Sequence, residues 1–217
     1  MTSSGSINGP RVDERRLAVT GDRPKMVVST DSGGPHFGEL IEQVRTFLDG
    51  MRAAGPSGEM TELLIEQLRE VNQQLREVAT DEWHAPAGSR IDLPSRGNIL
   101  LPPYEIVERS SNGVVARITF RRFHLGHGGA VHGGYLGVAF DDLMAVAVSV
   151  AVPKTNRTAY LTVNYRSVTP LDSELELRAW VDRQVGRKVF VKATLHDGDR
   201  LCADAEALFV LLKADQA

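Results

Sequence analysis

Residues 122–153 read RFHLGHGGAVHGGYLGVAFDDLMAVAVSVAVP. Two glycine pairs, Gly128–Gly129 and Gly133–Gly134, each follow a histidine, His127 and His132, and the second pair opens a long apolar run. Taken as a helix, Leu136, Phe140, Leu143, Ala147 and Val150 fall on one face as a continuous buried stripe. Asp141 and Asp142 lie beside that stripe. No Lys or Arg stands between Tyr135 and Val152, so a carboxylate here is costly to bury unless a cleft or a partner receives it.

Downstream of Pro153 the hydrophobic period is two. Ala159, Leu161, Val163 and Tyr165 share one predicted face, with Thr158, Tyr160, Thr162, Asn164 and Arg166 on the other. Leu175, Leu177, Ala179 and Val181 repeat the pattern, and so do Val189, Val191, Ala193 and Leu195. Asp197-Gly198 is a tight hairpin signal leading into Leu201, Ala203, Ala205, Ala207 and Phe209. Upstream, residues 113–123 alternate in the same way. Half-buried antiparallel strands whose last member carries small residues need something bulky across one face. The helix of residues 133–152 has the right length, so the fold class is α+β, with a sheet wrapped around one long helix.

The N-terminal half differs. Residues 1–35 mix Ser, Gly, Pro and charge without period and read as a disordered or loosely packed tail. Over 36–80, Leu40, Ile41, Val44, Phe47, Leu48 and Met51 keep to one helical face, and Gly55-Pro56-Ser57-Gly58 ends that helix. Met60, Leu64, Leu68, Val71, Leu75 and Val78 then form a narrow apolar seam. A helical hairpin that covers the core or packs on another subunit is the reading. Residues 81–105, rich in Pro and Gly, form a long connection anchored by Trp83, with His84 on the surface.

In a chain of 217 residues, 42% apolar residues suffice for one domain with an extension. A net charge of -3 with no basic stripe argues against nucleic acid. The single cysteine, Cys202, excludes an internal disulfide and a multi-cysteine metal site, and the expected setting is a reducing cytoplasm. Residues 1–30 hold no apolar run of signal-peptide length, and two central carboxylates weigh against the apolar helix as a membrane span.

Glycines at a helix start leave backbone N–H groups unpaired at the positive end of the helix dipole, which suits a developing oxyanion. Gly133 and Gly134 are the candidate donors. Asp141 follows Gly134 by two turns, back on the same face about 10 Å along the axis. Small neighbours, Gly137 and Ala145 with Val138, leave room for a ligand. Asp142 points about 100° away round the helix.

His132-Gly133-Gly134 followed by Asp141, with TVNYRSVTPL at 162–171 and GRKVFVKATLHDG at 186–198, resembles the PaaI-like hotdog acyl-CoA thioesterases over residues 95–213. The hairpin lies outside the resemblance. It implies a hotdog fold and hydrolysis of a fatty or aryl acyl-CoA to free acid and coenzyme A. No metal or separate cofactor is implied, since coenzyme A is part of the substrate. On the resemblance Asp141, favoured over Asp142 by the family register, is the nucleophile on the thioester or the general base for water, and His132 shapes the oxyanion loop. The family often carries Asn or Gln where Gly126 stands here, and His127 is the substitute. Thr158 matches a family Ser or Thr that holds the attacking water, although strand propensity alone also accounts for Thr there. Arg166, Arg187 and Lys188 stand where the family's chains approach the coenzyme A phosphates, or are solvated turn charges. His124 and His196 read as strand residues. The resemblance further implies a role in lipid metabolism and a homodimer or dimer of dimers, in which Asp141 faces a partner's HGG loop. Two other readings compete: a non-catalytic acyl-CoA-binding hotdog module, and a hotdog hydratase acting on enoyl or hydroxyacyl thioesters, whose signature is missing.

Overall fold

The computed structural model describes residues 28–213; the predicted disorder of residues 1–27 lies outside them. Two helices, α1 (Phe37–Ala53) and α2 (Gly58–Glu77), precede strands β1 (Tyr104–Ser110) and β2 (Gly113–Thr119). Helix α3 (Gly133–Ala151) follows, and then β3 (Asn156–Tyr165), β4 (Glu174–Val185), β5 (Lys188–Asp197) and β6 (Arg200–Leu211). The strands form one antiparallel sheet in the order β1-β2-β4-β5-β6-β3. This sheet wraps α3, so the architecture is the hotdog fold that the resemblance implies.

The alternation of apolar residues becomes the core. Val114, Ala116 and Ile118 of β2 are buried, as are Leu175, Leu177 and Ala179 of β4 and Val189, Val191, Ala193 and Leu195 of β5. Small Ala203, Ala205 and Ala207 of β6 are buried with them and leave room for α3, which presents Leu136, Phe140, Leu143 and Ala147. Val150, expected in that stripe, is exposed, while Ala139, Met144 and Val148 are buried instead. The buried positions of α3 lie on more than one of its faces, because the sheet wraps around it. By length and composition α3 could cross a membrane; in this fold its apolar surface is the core of the domain.

Two expectations for the N-terminal half need correction. Part of the predicted tail is docked, because Ser29 pairs with Arg90 in a short bridge. The buried Arg90 guanidinium donates to the carbonyls of Ser32 (2.8 Å) and Gly34 (3.1 Å) and pairs with Asp92 at 2.7 Å. The two helices do not close as a hairpin. Helix α1 packs on the domain through Ile41 and Arg45, whereas α2 buries none of its residues. Asp49 of α1 pairs with Arg121 at 2.7 Å and accepts the Phe123 N–H at 3.0 Å, which fixes α1 to the short 3-10 turn Arg122–His124.

Candidate active site

Helix α3 starts where the HGG run directs it. His132 is the N-cap, and its Nδ1 accepts the Gly134 N–H at 3.1 Å. The predicted pair of oxyanion donors is therefore unequal. The Gly134 N–H is engaged, whereas the Gly133 N–H has no acceptor among the described residues. Gly133 also admits a close neighbour: a Cβ there would lie 2.8 Å from the Tyr165 hydroxyl oxygen, and that hydroxyl donates to the Gly133 carbonyl at 3.1 Å. Nothing in the sequence pointed to Tyr165 in this role, since it stands 32 residues away.

The HGG turn separates two hollows. One, of about 570 Å³, is walled by His132, Gly133, Tyr165, Arg166 and Val168. The other, of about 480 Å³, is walled by Phe123, Leu125, His132, Tyr135 and Val138. Behind the second lies His124, fully buried between Phe120, Phe123 and Tyr135. Burial holds its pKa down at about 4. Its Nδ1 accepts the Arg121 N–H at 2.8 Å, so the neutral ring carries its proton on Nε2. His124 thus belongs to a short 3-10 turn that shapes a hollow, and not to a strand.

The adjacent carboxylates have different partners. Thr158 Oγ1 donates to Asp141 Oδ1 at 2.8 Å, and no cation pairs with Asp141 among the described residues. Asp142 accepts from Arg96 Nη2 at 2.7 Å and from the Tyr104 hydroxyl, and Arg96 Nη1 reaches that hydroxyl at 2.9 Å. Burial depresses the Arg96 pKa, but the Asp142 carboxylate more than offsets this and holds the guanidinium charged. Burial and the same carboxylate push the Tyr104 hydroxyl well above its usual range. Arg96 and Ser95 both adopt left-handed backbone conformations, at φ 57° and 50°. This is costly for residues other than glycine, and it is held by Ser95 Oγ, which donates to the Pro102 carbonyl at 2.6 Å and accepts the Tyr104 N–H at 3.0 Å. The missing partner of the apolar helix is this kinked connection.

Thr158 reaches Asp141 through an irregularity. Strict alternation puts Thr158 on the face opposite Leu161 and Val163. A bulge at Ala159 instead pairs Thr158 with Phe209 and Tyr160 with Leu208, which turns Thr158 toward α3.

Other expected site residues remain apart. The His127 side chain is exposed and makes no hydrogen bond among the described residues. Arg166 walls the HGG hollow and is held by Asp204, with Nη2 to Oδ1 at 3.3 Å. Lys188 aligns with Val210, which aligns with Arg157, whereas Leu195 aligns through Ala203 with Tyr165. Lys188 therefore lies about 23 Å along the sheet from the level of Tyr165, at seven residues of strand rise, and Arg187 and Arg166 lie one residue farther out at the two ends. Within one chain they do not form a single cationic patch. Gly133 and Asp141 are likewise about 12 Å apart along α3.

A protein of Pseudomonas aeruginosa, named only as a candidate esterase, is 32% identical over 114 residues, which cover 52% of this chain and 85% of that one. The sequence profile of the thioesterase superfamily matches residues 128–203, from the first glycine pair into β6. The chain belongs to that superfamily. Among solved structures, a crystal structure described as a thioesterase superfamily protein matches with a TM-score of 0.71 at 24% identity, over 86% of this chain and all of that one. That coverage is too wide for the hotdog domain alone, so the fold shared with this superfamily structure extends into the N-terminal segment.

Proposed function

We propose that this thioesterase-superfamily chain hydrolyses acyl-CoA thioesters, with Asp141 as the catalytic carboxylate. The observation that carries this reading is the contrast between the two adjacent carboxylates. Asp142 is paired with Arg96 and Tyr104, while Asp141 has no cation beside it among the described residues and has one oxygen held by Thr158. The second oxygen of Asp141 is then the reacting one. A Cβ at Gly137, one turn earlier, would meet nothing within 4 Å, so there is open space beside the carboxylate.

The thioester carbonyl oxygen accepts the Gly133 N–H at the positive end of α3, and charge develops there as the carbonyl carbon becomes tetrahedral. Asp141 either attacks that carbon, expelling the coenzyme A thiolate to leave an acyl anhydride that water hydrolyses, or takes the proton from a water that attacks. The products of both routes are free acid and coenzyme A. The separation of about 12 Å within one helix argues that the donor and the acid of one site come from two chains. The ten-residue edge strand β3 has an unpaired side, with Tyr160 and Tyr165 exposed, and a second copy pairing there would cover it. Such pairing also gives Arg166 and the Arg187–Lys188 turn a chance to meet around one coenzyme. Hydrolysis in a reducing cytoplasm suits a chain whose lone thiol, Cys202, is buried.

Free-thiol release from short, long and aryl acyl-CoAs tests this reading. Turnover of at least one class is the expected result. Tight binding across the panel with no thiol released would make the protein an acyl-CoA-binding module instead.

A further inference from the structure

We propose that α2 is a pairing helix that packs against α2 of a second copy of this chain. It is a 20-residue helix with no buried residue. Leu68, Val71, Leu75 and the adjoining Val78 are exposed, with Val78 at 74%. Helices in proteins draw most of their stability from packing an amphipathic face, and an exposed apolar strip marks an interaction surface.

The spacing identifies the kind of partner. Leu64, Leu68, Val71, Leu75 and Val78 alternate steps of four and three, the 3.5-residue repeat that keeps a seam against another helix. The residues flanking the seam argue for a copy of itself. Those positions hold Met60, Gln67 and Gln74 on one side and Ile65, Asn72 and Ala79 on the other, all uncharged, while Glu62, Glu66, Arg69 and Glu70 lie farther round. Self-pairing therefore brings no like charges together, and no row of one sign selects a partner of the opposite sign. Helix α1 does not cover the seam, since α2 buries none of its residues. With about half of each seam side chain exposed, and Met60 and Ile65 flanking them, two copies would cover on the order of 1,000 Å², enough for a specific protein interface. The surface lies outside the hotdog domain, so the inference stands or falls independently of the thioesterase reading.

Disulfide trapping on the purified full chain tests it. Leu68 is near the middle of the helix, so in either direction of pairing two copies bring it close to its counterpart. Leu68→Cys under mild oxidation should give a band at twice the chain mass, about tenfold stronger than Glu66→Cys on the outer face. Adding Leu75→Glu to Leu68→Cys should abolish the band. Cys202 is buried and contributes little background. The proposal is overturned if Leu68→Cys gives no band, as it would if residues 1–27 of the same chain or a different protein covered the seam. Equal bands from Leu68→Cys and Glu66→Cys would overturn it too.

Discussion

Asp141→Asn should lower the kcat for thioester hydrolysis by about a thousandfold while leaving the thermal midpoint close to that of the wild type. The amide keeps an oxygen where Oδ1 accepts from Thr158, so the bulged segment of β3 and the third turn of α3 have no reason to move. The substitution removes the negative charge and the basicity, which both the nucleophilic and the general-base route require. The surroundings add little stability that could be lost, because no cation pairs with Asp141 among the described residues. Thiol release and a melting curve on the same preparation read the two quantities together. Wild-type turnover in the variant would remove Asp141 from the chemistry.

Asp142→Ala should show the opposite balance, costing about 2–3 kcal/mol of stability. It leaves the Arg96 guanidinium without its counter-ion and the Tyr104 hydroxyl without its acceptor, both in partly buried positions. Removing one member of a buried ion pair costs about 3–5 kcal/mol, and some residual solvent access here reduces that. In a chain of this length the midpoint should fall by about 5–10 °C. Because Arg96 sits on a left-handed kink that the pair holds down, the loss should be largest at the connection. A double substitution, Asp142→Ala with Arg96→Met, should recover part of the midpoint by removing the stranded charge. An unchanged midpoint with abolished activity would instead make Asp142 the acid.

These two residues also mark how far the sequence could be read. The hotdog sheet was legible because its strands are half buried, so Leu175, Leu177 and Ala179 on β4 and Ala203, Ala205 and Ala207 on β6 alternate with polar residues in a way that only a strand produces. The core helix was legible from the same composition, up to Val150. The contact of Arg96 with Asp142 was not, because it spans 46 residues through a kink that contains no glycine at Ser95 or Arg96. The approach of Tyr165 to Gly133 left no local signal for the same reason. Thr158 was assigned to the wrong face because strict alternation has no provision for a bulge. The two N-terminal helices were identified by their periodicity, but amphipathic spacing says which face wants burial and not what buries it. A hairpin is the economical expectation from that spacing, and the exposed seam of α2 stands against it.

On the shared-site reading, Asp141 of one chain acts on a thioester whose carbonyl is held by Gly133 of another. Subunit mixing separates this from a site built within one chain. Asp141→Asn and Gly133→Val, each inactive alone, are dissociated together and reassembled, and thiol release is measured. If the site is shared, mixed dimers contain one intact site, and about a quarter of wild-type activity returns from a random mixture. No recovery from a reassembled mixture would contradict the account, because it would mean that each site draws its acid and its donor from the same chain.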